Sequence, residues 1–284
     1  MNIFLAALNP VAFQLGSINV MWYGVIMAVA IFVGLWLAGR EAVYLGLDND
    51  YVIDLAIWMV PLGYLGARLY YVLFNLNYYL QNPGDILAVW EGGLAIYGGL
   101  IAGGLTLIWF SNRRQVPVWL TLDLIAPSVL LAQAIGRWGN FMNQEAHGSE
   151  VTRSFLEKLM LPNFIIEQMR IEDIYYHPTF LYESLWNLAG VIILLILRRR
   201  QGLLKRGEVA LLYVAWYSFG RFFIEGLRTD SLYLWGSSIR VSQALSLLLF
   251  IIAVAVMIYR RRNVFPLPDY IEGIASEKCR RDHS

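Results

Sequence analysis

The chain has 284 residues, 58% of them hydrophobic and only 15% charged, with a mean hydropathy of +0.53. An average soluble domain carries roughly 25% charged residues, so these values exclude a soluble globular protein and describe a chain with several membrane spans. The formal net charge of +1 decides little, because a membrane chain is oriented by where lysine and arginine sit in its short loops.

Taken in chain order, seven apolar stretches approach the ~20 residues that cross a bilayer. They cover about 20–38, 52–74, 94–110, 118–135, 180–197, 209–224 and 241–259. Ahead of them no basic region followed by a small-residue cleavage site is read, so the first apolar helix is expected to direct insertion itself. Arg40 follows the first stretch, Arg113 and Arg114 the third, Arg198, Arg199, Arg200, Lys205 and Arg206 the fifth, and Arg260, Arg261 and Arg262 the seventh. Each odd-numbered span thus ends on the basic, cytoplasmic side, with the N-terminus outside and the C-terminus cytoplasmic. The loop 75–91 agrees, since it lacks lysine and arginine and carries Asp85 and Glu91. The expectation is an all-α integral membrane protein whose residues 1–262 form one polytopic domain, followed by a cytoplasmic tail, 263–284. The long connection 136–176 carries enough Leu, Ile, Phe and Met for an ordered external head at about 141–176.

Charges inside the spans are the anomalies. One near the bilayer centre costs ~2.5–3.5 kcal/mol on insertion scales and tends to mark a pathway or a site. Arg68 interrupts the second span, where pairing with carbonyls or snorkelling explains it as well as a site does. Arg137 closes the fourth span; Arg221 and Glu225 stand at i, i+4 in the sixth, with Arg228 just beyond, and that pair also suits a plain helix contact. Arg137 and Arg221 both fall at the outer ends of even-numbered spans. Their forked donors match phosphate oxygens, and an anionic phospholipid headgroup is the phosphate at hand there. Asn140, Asn143 and Tyr217 can hydrogen-bond such a headgroup, while Trp22 and Tyr23 also fit an interfacial aromatic belt.

The third span opens Glu91-Gly92-Gly93-Leu94-Ala95-Ile96-Tyr97-Gly98-Gly99-Leu100-Ile101-Ala102-Gly103-Gly104. Gly93, Gly99 and Gly103 are expected to bring helices close, and the Tyr97 phenol needs a partner or a ligand. With a reference pKa near ~10, that phenol is a poor base at neutral pH. His147 and His177 have no second histidine at ligand spacing, His283 lies in the tail and Cys279 is the sole cysteine, so neither a metal, another cofactor nor a disulfide is expected. The terminal Cys-Arg-Arg-Asp-His-Ser is no prenylation box. No nucleophile elbow or phosphate loop appears either, so an enzyme built this way takes its nucleophile from the substrate.

One further pattern is Gly136-Arg137-x-Gly139-Asn140-Phe141-x-Asn143-x-Glu145-x-x-Gly148. It is joined by Trp22-Tyr23-Gly24, the third-span glycine block, His177-Pro178 with Leu181-Tyr182-Glu183, and Tyr217 through Arg221 to Glu225 and Arg228. Together these resemble the bacterial prolipoprotein diacylglyceryl transferases over nearly the whole chain. The resemblance implies a multi-pass protein of the bacterial cell membrane, its site toward the outer leaflet. It implies transfer of the sn-1,2-diacylglyceryl group from phosphatidylglycerol to the lipobox cysteine of a prolipoprotein signal peptide, giving a thioether and glycerol-1-phosphate. No nucleic acid is involved. Arg137 is then expected to grip the phosphate and Arg221 to stabilise the leaving group. Tyr23, Asn140, Asn143, Glu145, Gly148, Tyr217, Glu225 and Arg228 would form the substrate pocket. The chain departs from many relatives in carrying Tyr97 where they carry histidine, which leaves Tyr97, Glu145, a phosphate and water as candidate acceptors of the thiol proton. The competing reading is a seven-span lipid or small-anion transporter, although neither an internal repeat nor paired broken helices are visible.

Overall fold

The computed structural model describes residues 8–16, 18–88, 92–229, 233, 240–264 and 266–274; Glu91, Cys279 and His283 lie outside the described residues. A hairpin of β1 (Val11–Leu15) and β2 (Ile18–Met21) leads directly into α1 (Trp22–Tyr44). There follow α2 (Tyr51–Phe74), the short α3 (Leu76–Gln81), α4 (Ile96–Arg113), α5 (Val118–Asn143), a small insertion, α8 (Thr179–Leu197), α9 (Glu208–Leu227) and α10 (Val241–Asn263). Each of the seven apolar stretches therefore holds a helix. Five of the helices, α1, α2, α5, α8 and α10, are long and apolar enough to cross a membrane. In α10 only 11% of the most apolar window is buried within the chain, so its Leu248 and Ile251 need a non-aqueous neighbour. α4 and α9 have similar length but carry interruptions, glycines in the former and Glu208, Arg221 and Glu225 in the latter.

Two boundaries move, and each for a local reason. Residues 20 and 21, expected to begin the first span, belong instead to strand β2, and Trp22 N donates to Pro10 O at 2.9 Å. At the other signature, α5 runs on to Asn143, so residues 136–143 are helix rather than the start of a connection. Arginine and asparagine end an apolar pattern without ending a helix. The stop comes where Gln144 (φ 53°) and Ala146 (φ 57°) enter the left-handed region and Glu145 N closes onto Asn140 O at 3.0 Å.

The chain divides into two compact units. The first comprises residues 1–37 and 123–271. Between α5 and α8 it holds β3 (Glu150–Val151), α6 (Arg153–Lys158), α7 (Asn163–Gln168), β4 (Arg170–Ile171) and β5 (Ile174–Tyr176), the strands pairing antiparallel in the order β3-β5-β4. This insertion has its own core, in which Leu156, Ile165, Ile166 and Met169 pack on Phe141 and Phe180. The Gln168 amide, almost fully buried, ties it to α5 by donating to Phe141 O at 3.1 Å. α8 and α9 are clasped by stacked Trp186 and Trp216, 4.3 Å apart, each indole N–H donating to the other tryptophan's carbonyl at 3.0 and 2.9 Å. At the α9 N-terminus the buried Asp123 carboxylate accepts from Gly207 N and Ala210 N, two amides a helix start leaves unpaired.

The second unit comprises residues 38–122 and 272–284. Its α2 and α4 meet at Gly98, where a Cβ would lie 2.4 Å from Gly66 O. Close approach was expected at Gly93, Gly99 and Gly103: at Gly93 a Cβ would lie 2.9 Å from the Tyr71 ring of α2, while Gly99 and Gly103 also face α2 but with ordinary contacts at 3.5 and 3.7 Å. The spacing of the glycines was readable but not that Gly98 makes the tightest approach of α4. Arg68 is buried and surrounded by carbonyls: it donates to Ile86 O at 3.0 Å, Gly92 O at 2.7 Å and Gly93 O at 2.9 Å, and also to Asp85 O. Of the readings open for Arg68, carbonyl pairing is the one observed.

Candidate active site

Three helices of the first unit bring their charges together. Glu183, in the first turns of α8 and 3% exposed, ion-pairs through Oε1 with Arg137 Nη2 of α5 at 2.6 Å. Its Oε2 accepts from Arg221 Nη1 of α9 at 3.1 Å. Arg221 Nη2 also meets Glu225 Oε2 at 2.5 Å, one turn along α9, and Glu225 is itself buried. Two guanidiniums and two carboxylates thus balance in charge, which makes their burial among apolar helices affordable. Arg137 further donates to Asn140 Oδ1 at 3.3 Å and lies beside Tyr217, and Asn140 Nδ2 donates to Glu145 Oε1 at 2.9 Å.

Around this cluster the other candidates take distinct places. Tyr23, on the first turn of α1, lays its ring on Gly139, where a Cβ would come within 2.8 Å of Cδ2. Gly148 has no more room, since a Cβ there would sit 2.6 Å from His177 Cβ. Its N–H donates to His177 O at 3.0 Å, Ser149 N donates to Leu227 O at 2.9 Å, and Gly148 bridges Arg228. Backbone bonds thereby tie the inserted segment to the start of α8 and the end of α9, the ends that carry Glu183 and Arg221. Asn143 is exposed at the last residue of α5 and joins none of these bonds. Tyr97 stands on the first turn of α4, in the second unit, and is 45% exposed. His177 Nδ1 lies 3.2 Å from Tyr182 Oη, and burial lowers the pKa of this histidine. Among the described residues, no cluster of three or more His, Cys, Asp or Glu is placed to hold a metal.

Sequence reasoning assigned no role to Glu183, although it is the residue on which both arginines converge. The available signal was charge accounting: two arginines at membrane depth need more than the single carboxylate of Glu225. The arrangement holds two guanidiniums by their inner edges with side chains still 20% and 15% exposed, and a fork offers more N–H donors than these partners take. Chemically it can offer the free N–H donors of two fixed cations to an anion.

Comparison with known proteins bears on what that anion is. The family model for prolipoprotein diacylglyceryl transferase matches residues 10–259. The chain is 57% identical over 265 residues to the phosphatidylglycerol–prolipoprotein diacylglyceryl transferase of Listeria monocytogenes, covering 93% of this chain and 94% of the relative. It is 56% identical over 266 residues to the protein so named in Lactobacillus acidophilus, 94% of each chain. For that of Lactobacillus delbrueckii subsp. bulgaricus the identity is 55% over 267 residues, 94% and 96% of the two.

Proposed function

The chain belongs to the prolipoprotein diacylglyceryl transferase family, and from that premise we propose that it transfers the diacylglyceryl group of phosphatidylglycerol to a prolipoprotein. The acceptor is the thiol of the lipobox cysteine in the signal peptide. The observation that carries this reading to particular residues is the Glu183 carboxylate held between Arg137 and Arg221.

In the reaction the cysteine sulfur attacks C3 of the lipid's glycerol. A C–S bond forms, the C3–O bond breaks with its electrons going to oxygen, and glycerol-1-phosphate leaves with one more negative charge than it bore as a diester. The thiol proton passes to a base. Preorganised cations next to that growing charge are the main source of acceleration the protein can offer. Arg137, held by Glu183 and Asn140 beside Tyr217, grips the phosphate in the ground state. Arg221, held by Glu183 and Glu225, takes up the charge of the departing oxygen. Asn140 and Glu145 order the glycerol headgroup, Tyr23 lines the pocket, and Gly148 and Arg228 fix its rim. Tyr97, Glu145, a phosphate and water are the candidates for the proton.

Seven spans fit this reading, with the N-terminus and the inserted segment outside and the site toward the outer leaflet of the bacterial cell membrane. The basic residues that follow α4 and α8 and close α10 support that orientation. The test is to incubate the purified protein with phosphatidylglycerol and a lipobox peptide and to look by mass for a diacylglyceryl thioether. Thioether that requires the peptide's cysteine is expected; lipid movement without a thioether would support a transporter instead. Arg221→Ala should lower kcat about 10²–10³-fold with little change in lipid binding, the signature of a contact made in the transition state.

A further inference from the structure

One helical turn inward from the arginine cluster, the same three helices repeat its polar pattern. On α5, Gln133 stands four residues before Arg137; on α9, Tyr213 stands four before Tyr217; on α8, Asn187 stands four after Glu183. Residues at i and i+4 share a helix face and lie about 6 Å apart along the axis. Each of these steps leads away from the helix end that bears the charges, on α5 and α8 toward the helix middle and on α9 from the middle toward its N-terminus.

The second tier is linked within itself and only partly satisfied. Gln133 Nε2 lies 3.1 Å from Tyr213 Oη, and the Tyr213 and Tyr217 rings stack with centroids 6.3 Å apart. Gln133 Oε1 and both polar atoms of Asn187, which is wholly buried, have no hydrogen-bond partner among the described residues. Polar groups inside membrane helices cost free energy unless they are paired, so three of them aligned on one level mark a place that something polar occupies. The kind of group follows from the donor count. If the Gln133 amide donates to Tyr213, the phenol O–H remains to be given; if the amide is turned over, Tyr213 donates to it and the NH2 group remains. In either case the pair presents a spare donor, and it carries no charge.

We propose that this tier receives the ester-bearing glycerol backbone of the diacyl phospholipid, Gln133 and Tyr213 donating to an ester carbonyl and the Asn187 amide offering further donors at the same depth. The inference rests on the reading of the Arg137–Arg221 cluster as the phosphate site. From that phosphate the lipid continues toward the hydrocarbon, the direction in which the second tier lies. Its sn-2 carbonyl follows the phosphorus by way of O3, C3, C2 and O2, a reach comparable to one helical turn. The reacting carbon, C3, then lies between two grips, phosphate on one side and ester on the other. An ether-linked lipid has no carbonyl to accept the bond, so the tier selects diacyl over dialkyl donors.

The experiment compares thioether formation from phosphatidylglycerol and from its dialkyl ether analogue, in the same detergent, by the native protein, Tyr213→Phe and Gln133→Met. The native protein should favour the diester about three- to tenfold in kcat/KM, the worth of one neutral hydrogen bond. Each variant should lose that factor on the diester alone, bringing the ratio near unity. Equal use of both lipids by the native protein overturns the proposal. So does a variant that slows both lipids alike, as a merely misfolded or destabilised protein does, or one that leaves both unchanged. Absence of any thioether from either lipid with the native protein would instead remove the phosphate-site reading beneath it.

Discussion

A carboxylate between two guanidiniums is a positioning device, and Glu183 shows how much depends on one such side chain. Glutamine keeps its shape but leaves Arg137 and Arg221 with only the Glu225 charge between them, and removing one member of a buried ion pair typically costs ~3–5 kcal/mol. Glu183→Gln should therefore lower the unfolding temperature. It should also cut turnover about 10²-fold, the order expected when a reacting group shifts by ~1 Å; turnover at the native level would show that the arginines are held without it. His177 gives a pH-dependent counterpart outside the spans. Burial lowers its pKa below the usual 6.5, so below that pH the unfolded chain binds a proton that the folded chain resists, and stability is lost on acidification from about 6.5 downward. Thermal unfolding followed from pH 7.5 to pH 5 should show the loss, and His177→Gln should flatten it. Arg137, Arg221 and Glu225 were legible in the sequence because charge in an apolar span is conspicuous. Glu183 was less so, since only folding brings it to two arginines 46 and 38 residues away.

At the scale of elements, the α8–α9 seam is a lock of two tryptophans and two glycines. A Cβ on Gly220 would come 2.1 Å from Trp186 Nε1 and one on Gly190 2.4 Å from Trp216 Nε1, so either alanine must push an indole out of its stack and off its carbonyl. Overpacking of this kind costs ~1–3 kcal/mol. Gly220→Ala and Gly190→Ala should both lower the unfolding temperature, whereas Gly104→Ala, which faces open space on α4, should leave it unchanged or raise it. An unaffected Gly220→Ala protein would mean that the seam yields. The existence of the long helices was legible because long apolar runs admit little else, whereas the short α3 lay in a stretch read as a loop. The ends were not, for α5 passes through residues 136–143 despite two glycines and two asparagines, where Phe141 packs into the core of the insertion, and β2 takes residues 18–21 because a hairpin partner is available. Nor was the tightest contact glycine, since Gly98, Gly99 and Gly103 all face α2 and differ only in how near its backbone they come.

For the whole molecule the open quantity is how many helices cross the membrane, and the inserted segment between α5 and α8 reports on it. Hydropathy and length select α1, α2, α5, α8 and α10. They omit α9 because of charges that the structure shows to be paired: Arg221 with Glu183 and Glu225, and Glu208 with Arg261. Paired charges forfeit much of the insertion cost that a residue-by-residue scale assigns to them. α4 is omitted for its glycines, yet it carries no charge before Arg113, and its close contact with α2 at Gly98 supplies packing in place of hydrophobicity. On the proposed orientation, with the N-terminus outside, α1 and α2 return the chain outward. If α4 also crosses, α5 delivers the insertion to the outer face; if it does not, the insertion lands in the cytoplasm. Met160, 91% exposed two residues past α6, is the place to ask. In intact cells a membrane-impermeant maleimide should label Met160→Cys made in a Cys279→Ser background. The native chain, whose one thiol is in the tail, should react only after lysis. Labelling of Met160→Cys that also waits for lysis would take α4 out of the membrane, and with it the outward-facing site.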